Sequence, residues 1–202
     1  MPVISGSLDF ALSLVCLGIA AWGARRRNDF FVLGFVWIAA AAFAGAFRLG
    51  GFEEVALTHR FLTQVSSGVG MAMVGIGVLA ATFGSIPGSS WLAPVAALFG
   101  AGGIHHLAGW SHLGELNLAL GIVCLLSLVI LSAVGFRRGR IVAGFSGILS
   151  LAAILAVGFV LPKLEYAKDA LLQRDDITHL FLITCYFFLW LGVRSVSADR
   201  SE

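Results

Sequence analysis

Charge is what this sequence has least of. Asp, Glu, Lys and Arg make up 12% of its 202 residues, against about a quarter in a soluble domain. So few charges cannot coat a water-soluble globule of this size. With 59% hydrophobic residues, a disordered tail is excluded as well. Cysteine is scarce: Cys16, Cys124 and Cys185 stand far apart with no CxxC pair, which excludes a disulfide scaffold and a thiolate metal site. They read as small packing residues. Lysine is missing from residues 177–193, which excludes a retinal Schiff base in the last apolar run. The net charge of +2 says little as a sum, and no nucleic-acid partner is expected.

What the chain has instead is apolar length. Seven runs stand out: Leu8–Ala24, Phe30–Phe47, Val55–Phe83, Trp91–Gly109, Leu116–Gly135, Ile141–Leu161 and Ile177–Val193. About 20 apolar residues cross a bilayer as a helix, so these runs predict an all-α integral membrane protein with a seven-transmembrane-helix bundle as its single domain. Charges and turn-formers fill the breaks, as at Arg25-Arg26-Arg27-Asn28, Ser85-Ile86-Pro87-Gly88 and Arg137-Arg138-Gly139-Arg140. Between the last two runs, Leu164, Ala167, Leu171 and Leu172 share a face, which predicts a short interfacial helix over about 163–173. No internal repeat or low-complexity tract interrupts this order.

The basic residues set an orientation. One side of the predicted membrane holds eight arginines (25, 26, 27, 137, 138, 140, 194 and 200) against Asp29, Asp199 and Glu202. The other side holds most of the acids. The positive-inside rule therefore predicts an outside N-terminus and a cytoplasmic C-terminus, in a bacterial inner membrane. Three arginines follow the first run and none precedes it, the reverse of a secretory signal peptide, so that run is expected to stay as a span.

On this topology all five histidines fall at the outer face. His59 opens the third span, His105 and His106 close the fourth, His112 precedes the fifth and His179 opens the seventh. At 1.5 Å per residue, His59, His106 and His179 lie at similar depth, just below the head groups. Neutral imidazoles from three helices are suited to zinc, iron or copper. His105 and His106 point about 100° apart, so one of them at most would join such a site. Acids accompany the histidines: Asp175 and Asp176 stand four and three residues before His179, and Glu115 three after His112. Such spacing suits a ligand with its hydrogen-bonded carboxylate partner. Glu53 and Glu54, within a turn of His59, and Asp176 are the candidates to activate a bound water. Further along the third span, His59, Thr63, Ser66 or Ser67, and Gly70 form one polar stripe, expected to face the bundle interior. Ser66 is its candidate catalytic hydroxyl.

In its seven spans, the histidine near the start of its last helix (His179) and the histidine and hydroxyls of an early helix (His59, Thr63, Ser66, Ser67), the chain resembles the alkaline ceramidase and adiponectin-receptor group of seven-span metal hydrolases. It departs from that group's His-x-x-x-His in the last helix, where Ile183 holds the second position, and Val55 stands where the early-helix serine would be. The resemblance implies a zinc ion held by three imidazoles and a water that attacks a lipid amide or ester. Metal ligands would come from His59, His105 or His106, His112, Glu115 and His179. A variant would use iron or two metals with Glu115 and Asp176 as added ligands. Two other readings stand beside it: a b-type cytochrome with haem between two histidines, and a non-enzymatic sensor or accessory subunit with an acid- and histidine-rich outer face. Membrane lipids are the expected partners. The sequence carries no signal for an oligomeric state.

Overall fold

The structure, a computed structural model, describes residues 2–84, 113–163 and 174–197, with side chains from residue 6 onward in the first segment, from 119 in the second and from 175 in the third. All regular structure among these residues is helical. The helices are α1 (Pro2–Arg25), α2 (Asp29–Leu49), α3 (Ala56–Val65), α4 (Met71–Phe83), α5 (Leu113–Arg137), α6 (Ile141–Leu155) and α7 (Arg174–Ser197). A 3-10 turn, Glu53–Val55, leads into α3, and a π turn, Ser66–Gly70, joins α3 to α4, so the third span is one rod. A second π turn, Ala156–Val160, extends α6. Six helical stretches are long and apolar enough to cross a membrane. They match six of the seven expected spans. The expected fourth span, 91–109, lies outside the described residues, as does most of the expected interfacial helix: Leu161–Lys163 is a 3-10 turn and 164–173 are not described.

The six spans close into a ring. α1 packs between α2 and α7, α2 packs on the α3–α4 rod, and α4, α5, α6 and α7 follow in order. With lipid outside and no water to expel between helices, such packing rests on close van der Waals contact and interhelical hydrogen bonds. Gly34 shows the closeness. A Cβ there would stand 2.7 Å from the Val74 side chain and 2.8 Å from the Gly70 carbonyl, so any larger residue would push α2 off α4. Ser150 and Cys185 bond reciprocally across α6 and α7: Ser150 Oγ donates to the Cys185 carbonyl at 3.0 Å, and Cys185 Sγ donates to the Ser150 carbonyl at 3.5 Å.

The two ends of the ring differ. At the arginine-rich end, side chains fasten helix termini. Asn28 accepts from Phe31 N at 3.2 Å as the N-cap of α2 and donates to the Gly77 carbonyl of α4 at 2.8 Å. Arg138 donates to the Thr82 carbonyl near the end of α4, and Arg140 to the Ser195 carbonyl near the end of α7. Inward from there runs an aromatic column. Trp190 meets Trp22, Trp22 meets Phe31, Phe31 meets Phe35, and Phe35 meets Tyr186, all edge to face with ring centroids 4.8–6.4 Å apart. Phe31 and Phe35 are fully enclosed. This column packs the interior toward the arginine-rich end, and a hollow lies toward the histidine end.

Candidate functional site

The hollow is a cavity of about 560 Å³ walled by all six spans, within the 300–1,000 Å³ range of small-molecule sites. Its floor is Tyr186, whose hydroxyl donates to Met71 Sδ at 3.5 Å, with Cys124 beside them. Its middle walls are apolar: Leu12, Ile38, Leu125, Ile154 and Leu182. Both π turns contribute, through Ser66 and Ser67 on one and Val157, Gly158 and Phe159 on the other. A π turn slips the ladder by one residue and recurs at functional sites because it re-aims the side chains around it.

Polar chemistry gathers in one layer near the open end. Asp9 of α1 is 3% exposed, and its Oδ1 lies 2.9 Å from Nε2 of His179 on α7. A carboxylate accepts, so Nε2 is the protonated nitrogen. The other nitrogen, Nδ1, is enclosed and has no hydrogen-bond partner among the described residues. His59 of α3 is held from the opposite direction. Its Nδ1 lies 3.2 Å from the Ala41 carbonyl of α2, and since a carbonyl only accepts, Nδ1 bears the proton. In the neutral ring that leaves Nε2 with a lone pair at the cavity wall.

Gly45 lets these groups approach. A Cβ at that position would stand 2.5 Å from Asp9 Oδ2 and 3.0 Å from both Asp9 Cγ and His59 Cε1. The carboxylate and the second imidazole therefore converge on the point that a side chain at residue 45 would occupy. An acid buried inside a membrane bundle is costly unless paired, and here the pairing partner is an imidazole on another helix.

The remaining sequence candidates are distributed as follows. Thr63, Ser66 and Ser67 border the cavity with His59; of the three, Ser66 is buried and Thr63 and Ser67 are exposed. Their hydroxyls donate to their own helix: Thr63 to the His59 carbonyl, Ser66 to Thr63 and Ser67 to Gln64. Ser66 is seven residues from His59, about 10 Å along the helix, beyond the reach of that imidazole. Glu53 and Glu54 are exposed and do not line the cavity. Asp176 is 1% exposed and does not line the cavity, whereas Asp175 is exposed and borders it. His105, His106 and His112 lie outside the described residues, as does the side chain of Glu115 at the start of α5.

Asp9 was not among the candidates read from sequence. The first apolar run, taken from Leu8, puts Asp9 at the membrane surface with the other acids, whereas α1 starts at Pro2 and carries it inside. Its signal was present all the same: Asp9 is the sole acid in a 24-residue span.

A zinc site of three imidazoles is not assembled by the described residues. No group of three His, Cys, Asp or Glu side chains among them is placed to hold a metal ion. His59 presents a free Nε2, but Asp9 takes Nε2 of His179 and the protein encloses its Nδ1. A haem between these two histidines meets the same obstacle at His179.

Residues 5–198 match a family of unknown function, DUF6962. The chain belongs to that family. No curated protein and no solved structure matches it.

Proposed function

We propose that this DUF6962 protein is a membrane-embedded hydrolase that cleaves a lipid ester or amide, with acid–base chemistry supplied by His59, Asp9 and His179. One observation carries the reading: a buried carboxylate paired at 2.9 Å with a partly buried imidazole, and a second, backbone-oriented imidazole beside them, line a largely apolar cavity.

Each group has a task that its contacts fit. Ala41 fixes the His59 tautomer, so Nε2 is the base that removes a proton from water as the water oxygen attacks the substrate carbonyl. Asp9 Oδ2, with its partner oxygen held by His179, accepts the other hydrogen of that water and keeps it in place. The carbon–oxygen or carbon–nitrogen bond then breaks, and the proton on His59 Nε2 passes to the leaving alcohol or amine. Asp9 also offsets the positive charge that His59 carries between the two transfers. The apolar lower cavity holds the acyl chain.

The arginine distribution supports a layer toward the outer leaflet of a bacterial inner membrane, with the arginine-rich end in the cytoplasm. A substrate then enters from the lipid with its head group at the outer interface. The test is product release. Purified protein in nanodiscs is incubated with a panel of lipid esters and amides, and free acyl chains are measured by mass spectrometry. Release by the wild type and its loss in His59→Gln and His179→Gln support the reading; no release from any lipid, or release unchanged in both variants, overturns it. The visible spectrum of the same sample tests the cytochrome alternative, since a Soret band would assign the histidines to haem.

A further inference from the structure

The mouth of the cavity carries two charges of opposite sign that do not serve the acid–base layer. Arg48, in the last turn of α2, and Asp175, in the first turn of α7, are both exposed and both border the cavity. Arg48 is the one Lys or Arg among the described residues that lines it. Neither has an ion-pair partner among the described residues, including each other, although α1 alone separates their helices in the ring.

Depth turns this into a layered site. Asp175 precedes His179 by one helical turn, about 6 Å, and Arg48 lies about 4.5 Å along α2 from Gly45, at 1.5 Å per residue. From the mouth inward there follow an arginine and a carboxylate on separate helices, then the Asp9–His59–His179 layer, then apolar walls down to Tyr186. A lipid with the matching order has an anion and a cation in its head, an acyl linkage about one turn below, and a chain beneath. The cavity volume of about 560 Å³ suits one chain.

We propose that the substrate is a single-chain zwitterionic lipid of the lysophospholipid class, with its phosphate at Arg48 and its ammonium group at Asp175. Arginine meets phosphate through its fork of donors, whereas Asp175 offers a carboxylate to a quaternary or primary ammonium. This rests on the cavity being a lipid site, and its test does not depend on hydrolysis.

Ether-linked analogues supply that test, because the site has no ester or amide to cleave in them. Binding of 1-O-hexadecyl-lysophosphatidylcholine, 1-O-hexadecyl-glycerol-3-phosphate and 1-O-hexadecylglycerol to the protein in nanodiscs is measured by native mass spectrometry. The expected order of affinity is choline lipid, then phosphate lipid, then alkylglycerol. Both charges are exposed, so each is expected to contribute about fivefold. Arg48→Gln should weaken the two phosphate lipids about fivefold and leave the alkylglycerol unchanged, with Arg48→Lys keeping part of the affinity. Asp175→Asn should weaken only the choline lipid. Unfolding midpoints equal to the wild type exclude misfolding as the cause. Equal affinity for all three lipids, or variants that weaken all three alike, would overturn the assignment. Binding as expected with no cleavage of the ester-linked lipid would leave the recognition intact and refute the hydrolase.

Discussion

Gly45→Ala is the substitution that most directly strains the polar layer. Its new methyl group would lie 2.5 Å from Asp9 Oδ2 and 3.0 Å from His59 Cε1, where ordinary contacts begin at 3.4 Å. The carboxylate must therefore shift by roughly 1 Å, which disturbs the 2.9 Å bond that its other oxygen makes to His179. Overpacking of this kind costs about 1–3 kcal/mol. Asp9→Ala alone leaves the donor of a partly buried imidazole unpaired and costs about 1–3 kcal/mol by a different route. Because both changes act on the same carboxylate, they should not add: in the Asp9→Ala background, Gly45→Ala should cost well under half its wild-type value. Denaturant unfolding in mixed micelles of the four proteins of this cycle measures the coupling. Additive losses, or a Gly45→Ala protein as stable as the wild type, would show that the carboxylate does not sit against residue 45.

Other expectations follow from the same contacts. Chelation of divalent metals should leave hydrolysis unchanged if, as proposed, His59 supplies the base; loss of activity on chelation and recovery with zinc would reassign that role. Ser66→Ala should change activity less than about threefold, since its hydroxyl serves its own helix, and a large loss would make it the nucleophile. Asn28→Ala removes both the α2 cap and the bond to Gly77 and should lower stability by about 1–2 kcal/mol without changing the substrate affinity of the distant site, checked by unfolding and binding on one preparation.

Much of the fold was legible because membrane helices are coded by length and polarity, a local property. Six of the runs became spans, and the stripe of His59, Thr63, Ser66 and Ser67 borders the cavity, though Thr63 and Ser67 stay exposed. The site was half legible. Helical spacing paired His179 with Asp175 or Asp176, its neighbours on α7, but the imidazole turns to Asp9, 170 positions earlier in the chain. No periodicity encodes that contact. It depends on α1 packing between α2 and α7 and on the absence of a side chain at Gly45. The π turns were equally invisible, because a slipped hydrogen-bond ladder has no residue signature in Ser-Ser-Gly-Val-Gly or Ala-Val-Gly-Phe-Val. Glu53 and Glu54 had the right chemistry and the right proximity in sequence. The 3-10 turn that carries them leaves both in the open, off the cavity.

The central claim is that Asp9, through its pair with His179, makes the cavity reactive. Asp9→Asn keeps the size and shape of the side chain, so it removes charge while leaving the layer filled. Acyl release from a lysophospholipid by wild type and Asp9→Asn, compared at equal folded concentration in nanodiscs, is the decisive measurement. A fall of about 10²–10⁴-fold in the variant is the result expected for loss of acid–base function. Equal rates in two equally folded proteins would contradict it.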